Sequence, residues 1–264
     1  MSTAPLNAGA PAAGAALSAE QNGFLKENGY VVLPQAVPPA LVSRARQSIN
    51  HAMGQGIPQD ELQTWNSQSF FPGLARTEAI SDLFNQSQVL PTLRALMGED
   101  KVARVGGGQI ALRFPREPGT RPKAPGAHVD GMYSPNNGVT KGTLGSFTAL
   151  AGVFLSEVSS QDAGNFCVWP GTHRLFSEYF REHGAKCLLE ENQLPPVALP
   201  APIQIEARPG DAVLAHYLLA HGVAWNVSPD VRYAIFFRVQ VPEHKAHKVE
   251  VLTDIWREWP GLRA

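Results

Sequence analysis

With 264 residues and 44% hydrophobic content, the chain can bury one sizeable core and stays within the size that all-β barrels and sandwiches reach as single domains. Lys and Arg total 22 against 23 acidic residues, and a net charge of -1 supplies no field for a nucleic-acid backbone or an anionic membrane surface, so neither is an expected partner. Two isolated cysteines, Cys167 and Cys187, exclude a disulfide framework; with no apolar run of membrane-spanning length and no signal-peptide pattern, a soluble, cytoplasmic protein is expected.

Residues 1–17 are rich in Ala, Pro and Gly and carry no charged or aromatic side chain, so they cannot offset the entropy of ordering and are expected to form a disordered tail. The remainder, 18–264, is expected to be one domain. Ser18-Ala19-Glu20-Gln21 has the form of a capping box, Phe24 and Leu25 give the helix that follows an apolar side, and Asn28-Gly29 ends it. Tyr30 to Leu33 reads as a short strand. Beyond Pro38-Pro39, the spacing of Leu41, Val42, Ala45, Ile49 and Met53 predicts a helix over 40–53, and further helices are predicted over 77–84 and 90–97. These helices, within residues 18–100, are expected to pack on a barrel formed by 101–264.

From about residue 101 the texture changes to short β-branched and aromatic runs separated by Gly, Pro and Asn clusters, which predicts an all-β barrel or sandwich. Strands are predicted over 101–105, 109–114, 147–155, 166–169, 203–206, 212–217 and 231–241, with one helix over 176–183. The fold expected is mainly β with flanking helices.

Within the β half, His128-Val129-Asp130 carries the chemistry. Alternate residues of a strand share a face, so both side chains can reach one metal ion, and imidazole nitrogen with carboxylate oxygen suits ferrous iron. A bare His-x-Asp is also what a solvated loop beside a turn produces, so the pair needs a third ligand. Pro209-Gly210-Asp211 launches the run 212–224, and Asn226 to Asp230 forms a second turn that launches 231–241, which predicts an antiparallel hairpin. In that register Arg232 lies opposite Val223 and diagonal to His221, within reach of one bound molecule. The odd offset between His216 and His221 would put them on opposite faces of an unbroken strand, leaving His216 as a hydrogen-bonded histidine of the core or one behind the ligands. The remaining histidines, His51, His173, His183, His244 and His247, lack a paired carboxylate in a comparable context and read as surface or packing residues.

At this point the chain resembles the phytanoyl-CoA dioxygenase family of iron(II)- and 2-oxoglutarate-dependent oxygenases. The likeness runs from about Gln21 to Val241, through the opening Phe24 to Val32, the His128-Val129-Asp130 pair, the run Gly164 to His173, and Pro209-Gly210-Asp211 leading to His221 and Arg232. The resemblance implies a double-stranded β-helix, a jelly-roll of cupin-like kind. It makes His128, Asp130 and His221 the iron ligands and catalytic centre, and Arg232 the partner of the distal carboxylate of 2-oxoglutarate. It also places Gln109 and Arg113 in a region that lines the co-substrate site, against the alternative of ordinary strand polarity. Phe147 stands where relatives have a tryptophan, and Trp169 is either a pocket wall or core. Related halogenases carry a small residue in place of Asp130, so its presence argues against halogenation.

The function implied is oxidation of a small organic molecule, by hydroxylation or a related outcome, with 2-oxoglutarate and O2 converted to succinate and CO2. Two other classes fit a jelly-roll: a non-catalytic small-molecule binding protein, and a cupin-like metalloenzyme that does not use 2-oxoglutarate. The loop 115–126, with Arg116, Arg121 and Lys123, together with nearby Lys141, reads either as a lure for an anionic substrate or as a solvated surface.

Overall fold

Ser18 caps the first helix, α1 (Ala19–Asn28), through the reciprocal box expected of it, and Gly29 closes the helix at φ 81, a left-handed conformation that glycine adopts without steric cost. The computed structural model describes residues 16–134 and 138–263, so most of the tail expected over 1–17 lies outside the described residues. Leu17 at its end packs, partly buried, against the core. Strand β1 (Tyr30–Leu33) follows, then α2 (Pro39–Gly54), α3 (Leu62–Ser67), α4 (Glu78–Asn85) and α5 (Val89–Met97). The second half supplies β2 (Gln109–Arg113), β3 (Ala149–Phe154), β4 (Phe166–Val168), α6 (Thr172–His183), α7 (Lys186–Leu189), β5 (Ile203–Gln204), β6 (Ala212–His216), β7 (His221–Val223), β8 (Arg232–Val239) and the terminal α8 (Pro260–Arg263).

The strands form two antiparallel sheets, one of five strands in the order β1-β6-β3-β8-β2 and one of three in the order β5-β4-β7. Side-chain alternation divides the large sheet between two cores. On one face Val31, Leu33, Ile110, Leu112, Ala151, Leu214, Ile235 and Phe237 pack against the apolar sides of α2, α4 and α5. On the other, Val213, Ala215, Ala234 and Phe236 meet Phe166 and Val168 of the small sheet. Arg232 and Arg238 share the parity of Ala234 and Phe236, so β8 delivers both toward the space between the sheets.

Several expectations are corrected. Helical residues outnumber strand residues, because the N-terminal helices are long and the strands short, so "mainly β" describes the sheets that form the centre and not the residue count. Residues 101–105 make no strand: Arg94 Nε donates to the Val102 carbonyl at 3.0 Å and Asn85 bonds both the N–H and the C=O of Val105 at 2.9 Å. Those helix side chains take the places of a neighbouring strand. The short helix α3 had no periodic apolar signal, and α6 begins at Thr172, earlier than its apolar spacing indicated.

The predicted hairpin does not form. The run 212–224 breaks at a turn after His216, closed by Leu219 N–H to the His216 carbonyl at 2.9 Å. Strand β6 then belongs to the large sheet, between β1 and β3, whereas β7 pairs with β4 in the small one. Strand β8 pairs with β2 and β3, and Arg232 lies opposite Arg113, not Val223. His221 and Arg232 reach one cavity because their strands belong to sheets that face each other.

Candidate metal centre

The two histidines are brought together by backbone pairing. His128 N–H donates to the His221 carbonyl and His221 N–H to the His128 carbonyl, both at 2.9 Å, an isolated antiparallel bridge that sets the rings 4.4 Å apart. Two glycines make the approach possible. A Cβ on Gly222 would stand 2.2 Å from the Gly126 carbonyl oxygen, and one on Gly131 (φ 80) would stand 2.5 Å from the Gly145 backbone. The chain thus passes close beside β7 on its way to His128 and turns sharply after Asp130.

Asp130 Oδ1 lies 3.6 Å from His128 Nε2 and 3.8 Å from His221 Nε2. One ligand atom from each of His128, Asp130 and His221 falls within 4.8 Å of the others, the one such group found among the described residues. His221 Nδ1 lies 3.0 Å from the Leu219 carbonyl oxygen, which can only accept, so the proton sits on Nδ1 and Nε2 presents its lone pair to the site. Burial works against the charge on Asp130, but the neighbouring His128, His221 and Arg238 outweigh it and hold the carboxyl well below its usual range. Desolvation and the neighbouring His221 lower His128, which favours the neutral, ligating form. Two imidazoles and one ionised carboxylate gathered on a single point are the donor set that ferrous iron takes while keeping positions open.

The triad lines a cavity of about 240 Å³ with Gln109, Ala111, Arg113, Leu150, Phe166, Arg232, Phe236 and Arg238. Arg232 is 3% exposed; its Nε donates to the Gly164 carbonyl at 2.7 Å and its Nη1 to the Ala111 carbonyl at 3.0 Å. No carboxylate among the described residues pairs with it, and burial together with the charge of Arg113 pushes its pKa down to about 9. A guanidinium so placed lacks a counter-charge, and a carboxylate entering the cavity would supply one. Arg113, also lowered by burial, donates from Nη1 to Asn66 Oδ1 of α3 at 2.8 Å. Gln109 accepts from Arg238 Nη1 at 2.8 Å.

Two of the proposed pocket residues lie elsewhere. Trp169 is buried in the core between the sheets, and Phe147, also buried, meets the site through Arg238, whose guanidinium carbon lies 5.8 Å from its ring centre. In the loop 115–126, Arg116 lies 3.5 Å over the Trp225 ring with Lys123 5.3 Å from the same ring, so two of its cations are gathered on one aromatic ring.

His216 is turned away from the triad. On β6 it has the parity of Ala212 and Leu214, which face the helices, and its Nε2 lies 2.8 Å from the Ile255 carbonyl while Nδ1 accepts from Leu218 N–H at 3.1 Å. His244, read as unpaired, is corrected: it is fully buried and bonds Glu258 at 2.8 Å through Nδ1, a partner brought by the C-terminal segment. Arg238 escaped sequence reasoning altogether. It donates to Asp130 Oδ2 from Nε at 2.9 Å and pairs with it through Nη2 at 2.8 Å. Its even offset from Arg232 on one strand was a legible signal.

The sequence profile of the phytanoyl-CoA dioxygenase family matches residues 25–234. A protein of Caenorhabditis elegans described as a probable phytanoyl-CoA dioxygenase is 26% identical over 241 residues, covering 84% of this chain and 75% of that protein. Among solved structures, the non-heme alpha-ketoglutarate-dependent carbocyclase SnoK from nogalamycin biosynthesis superposes with a TM-score of 0.55 at 22% identity, covering 85% of this chain and 84% of that one. HygX from Streptomyces hygroscopicus, with nickel and 2-oxoglutarate bound, gives 0.55 at 18% identity over 85% and 87% of the two chains. EctD from S. alaskensis, with 2-oxoglutarate and 5-hydroxyectoine, gives 0.52 at 19% identity over 87% and 78%.

Proposed function

Because the chain belongs to the phytanoyl-CoA dioxygenase family, we propose that it is an iron(II)- and 2-oxoglutarate-dependent oxygenase on a double-stranded β-helix, hydroxylating a small organic substrate with O2. The observation that carries this reading is the pairing, in one cavity, of a His-Asp-His group with a buried guanidinium that lacks an acidic partner among the described residues. A binding protein has no need of three convergent ligands. A metalloenzyme without 2-oxoglutarate has no need of the counter-charge that Arg232 offers. The relatives crystallised with nickel and 2-oxoglutarate, and with 2-oxoglutarate and 5-hydroxyectoine, support the same assignment.

His128, Asp130 and His221 would hold the iron, which when bound supplies oxygen activation coupled to decarboxylation of 2-oxoglutarate to succinate and CO2. The chain's own residues do the rest. The Leu219 carbonyl keeps the His221 proton on Nδ1, and Asp130 offsets part of the metal's charge. Arg232 and Arg113 receive the far carboxylate, with Arg232 positioned by two backbone carbonyls so that its remaining N–H groups are free to donate. Leu150, Phe166 and Phe236 wall the cavity with apolar surface and limit water near the reacting atoms.

Anaerobic reconstitution with iron(II) and 2-oxoglutarate is expected to give the weak visible charge-transfer band of the chelate, and admission of air to give succinate. Asp130→Ala and His128→Ala are expected to lose both while keeping the fold. A wild type with no band and no succinate would overturn the assignment.

A further inference from the structure

We propose that Arg238 is a positioning residue that divides the two oxygens of Asp130 between separate tasks, leaving Oδ1 for the metal and immobilising Oδ2. This rests on the reading of the triad as a metal site. Oδ1 faces both histidine Nε2 atoms, at 3.6 and 3.8 Å. Oδ2 accepts a hydrogen bond from Arg238 Nε at 2.9 Å, and Nη2 of the same guanidinium lies 2.8 Å from it in an ion pair.

An ion pair on a surface ordinarily contributes little, and Arg238 is 43% exposed. Three observations set this one apart. Asp130 is only 16% exposed, so its carboxylate is not averaged over many solvated rotamers. Arg238 is itself held from two further directions, by Gln109 Oε1 at 2.8 Å on Nη1 and by the Phe147 ring 5.8 Å from its guanidinium carbon. Its backbone is held in β8 by pairing with β3, opposite Leu150.

A carboxylate with two free oxygens can clasp a cation through both. In a three-ligand site that occupies a fourth position and competes with the chelating co-substrate. The charge-assisted hydrogen bond and the ion-pair contact on Oδ2 resist the rotation that would bring it inward. Arg238 also places a positive charge near the metal, so it opposes metal affinity while it keeps a position open. Removing Arg238 should therefore not weaken metal binding but should close part of the metal's open face.

The test uses Mn(II) alone, with water-proton relaxation reporting both occupancy and the number of exchangeable waters. The wild type is expected to carry about three such waters, one for each position the triad leaves open. Arg238→Ala should bind Mn(II) as tightly or more tightly and carry about two, and its apparent affinity for 2-oxoglutarate should fall several-fold. Arg238→Lys keeps the charge without the paired donors and should lie between. Gln109→Leu loosens Arg238 without touching Asp130 and should shift the water count in the same direction, which keeps the test open if Arg238→Ala does not fold. An unchanged water count in the folded variants, or Mn(II) affinity that falls with Arg238→Ala, would overturn the proposal. A wild type that binds no Mn(II) would instead overturn the metal reading beneath it.

Discussion

At the scale of single residues, the site is a set of side chains whose polar atoms are each committed to one direction. Arg232 spends two donors on backbone carbonyls and keeps the rest for the cavity. Truncating one partner of a buried, hydrogen-bonded charge pair costs about 2–5 kcal/mol. Arg232→Ala is therefore expected to weaken 2-oxoglutarate at least ~30-fold in a titration of the visible band, and Arg232→Lys to restore only part of it, because a single ammonium cannot reproduce the guanidinium fork. An unaltered co-substrate affinity would move the anchor elsewhere. His216 shows the opposite commitment. Both its ring nitrogens are taken by backbone groups, at Ile255 and Leu218. His216→Ala is expected to retain stoichiometric iron and lose stability, and loss of iron with an intact fold would show that the wrong histidine was excluded.

At the scale of elements, the site depends on β7 lying close against the segment that carries His128. Gly222→Ala would drive a Cβ to 2.2 Å from the Gly126 carbonyl, a backbone atom that cannot swing aside. The two-way bridge between His128 and His221 should open as a result. The expected outcome is roughly a 10- to 100-fold loss of metal affinity, the range seen when groups that support metal ligands are removed, with little change in circular dichroism. Unimpaired metal binding would show that the bridge is not needed to align the rings. The same elements show what was legible beforehand. Helices with caps and stripes, such as α1 and α2, carry their signals locally, as does the alternation that sends Ile110 and Leu112 of β2 and Tyr233, Ile235 and Phe237 of β8 to one face. The break between β6 and β7 carries none: Tyr217 to Ala220 are apolar and fully buried, and read as a continuous strand. The expectation that His216 faces the core agrees with its placement, yet the unbroken strand from which it was argued does not exist. Likewise α3, which lends Asn66 to Arg113, has no apolar stripe and was passed over.

At the scale of the whole molecule, the C-terminal segment closes the structure over β6. Trp256 and Trp259 bring their rings within 5.0 and 5.7 Å of His216, and His173 lies 5.5 Å from both His216 and Trp256. Burial, with the charge of His173 adding, pushes His216 down to about 3; burial pushes His173 down to about 4, with the Lys26 carbonyl opposing. Both values lie below the ordinary histidine range near 6.5, so between these limits the unfolded chain binds more protons than the folded one. The stability due to keeping these rings neutral is thus fully present above pH ~6.5 and is lost as pH falls toward 4, at up to about 1.4 kcal/mol per pH unit for each ring. Urea denaturation at pH 7.5, 6 and 5 is expected to show that loss, and His216→Gln should flatten the slope, whatever it does to stability at pH 7.5. A slope unchanged by that substitution would place the acid sensitivity elsewhere. By itself the sequence offered His128, Asp130 and His221 as candidate ligands in their order along the chain, because each is a property of a residue and its near neighbours. Only the tertiary structure decided that His221 and Arg232 meet across two sheets, that Glu258 answers His244, and that Arg238 holds Asp130. Those contacts join segments far apart in the chain, and sheet pairing, which brings them together, is settled by the packing of the whole core.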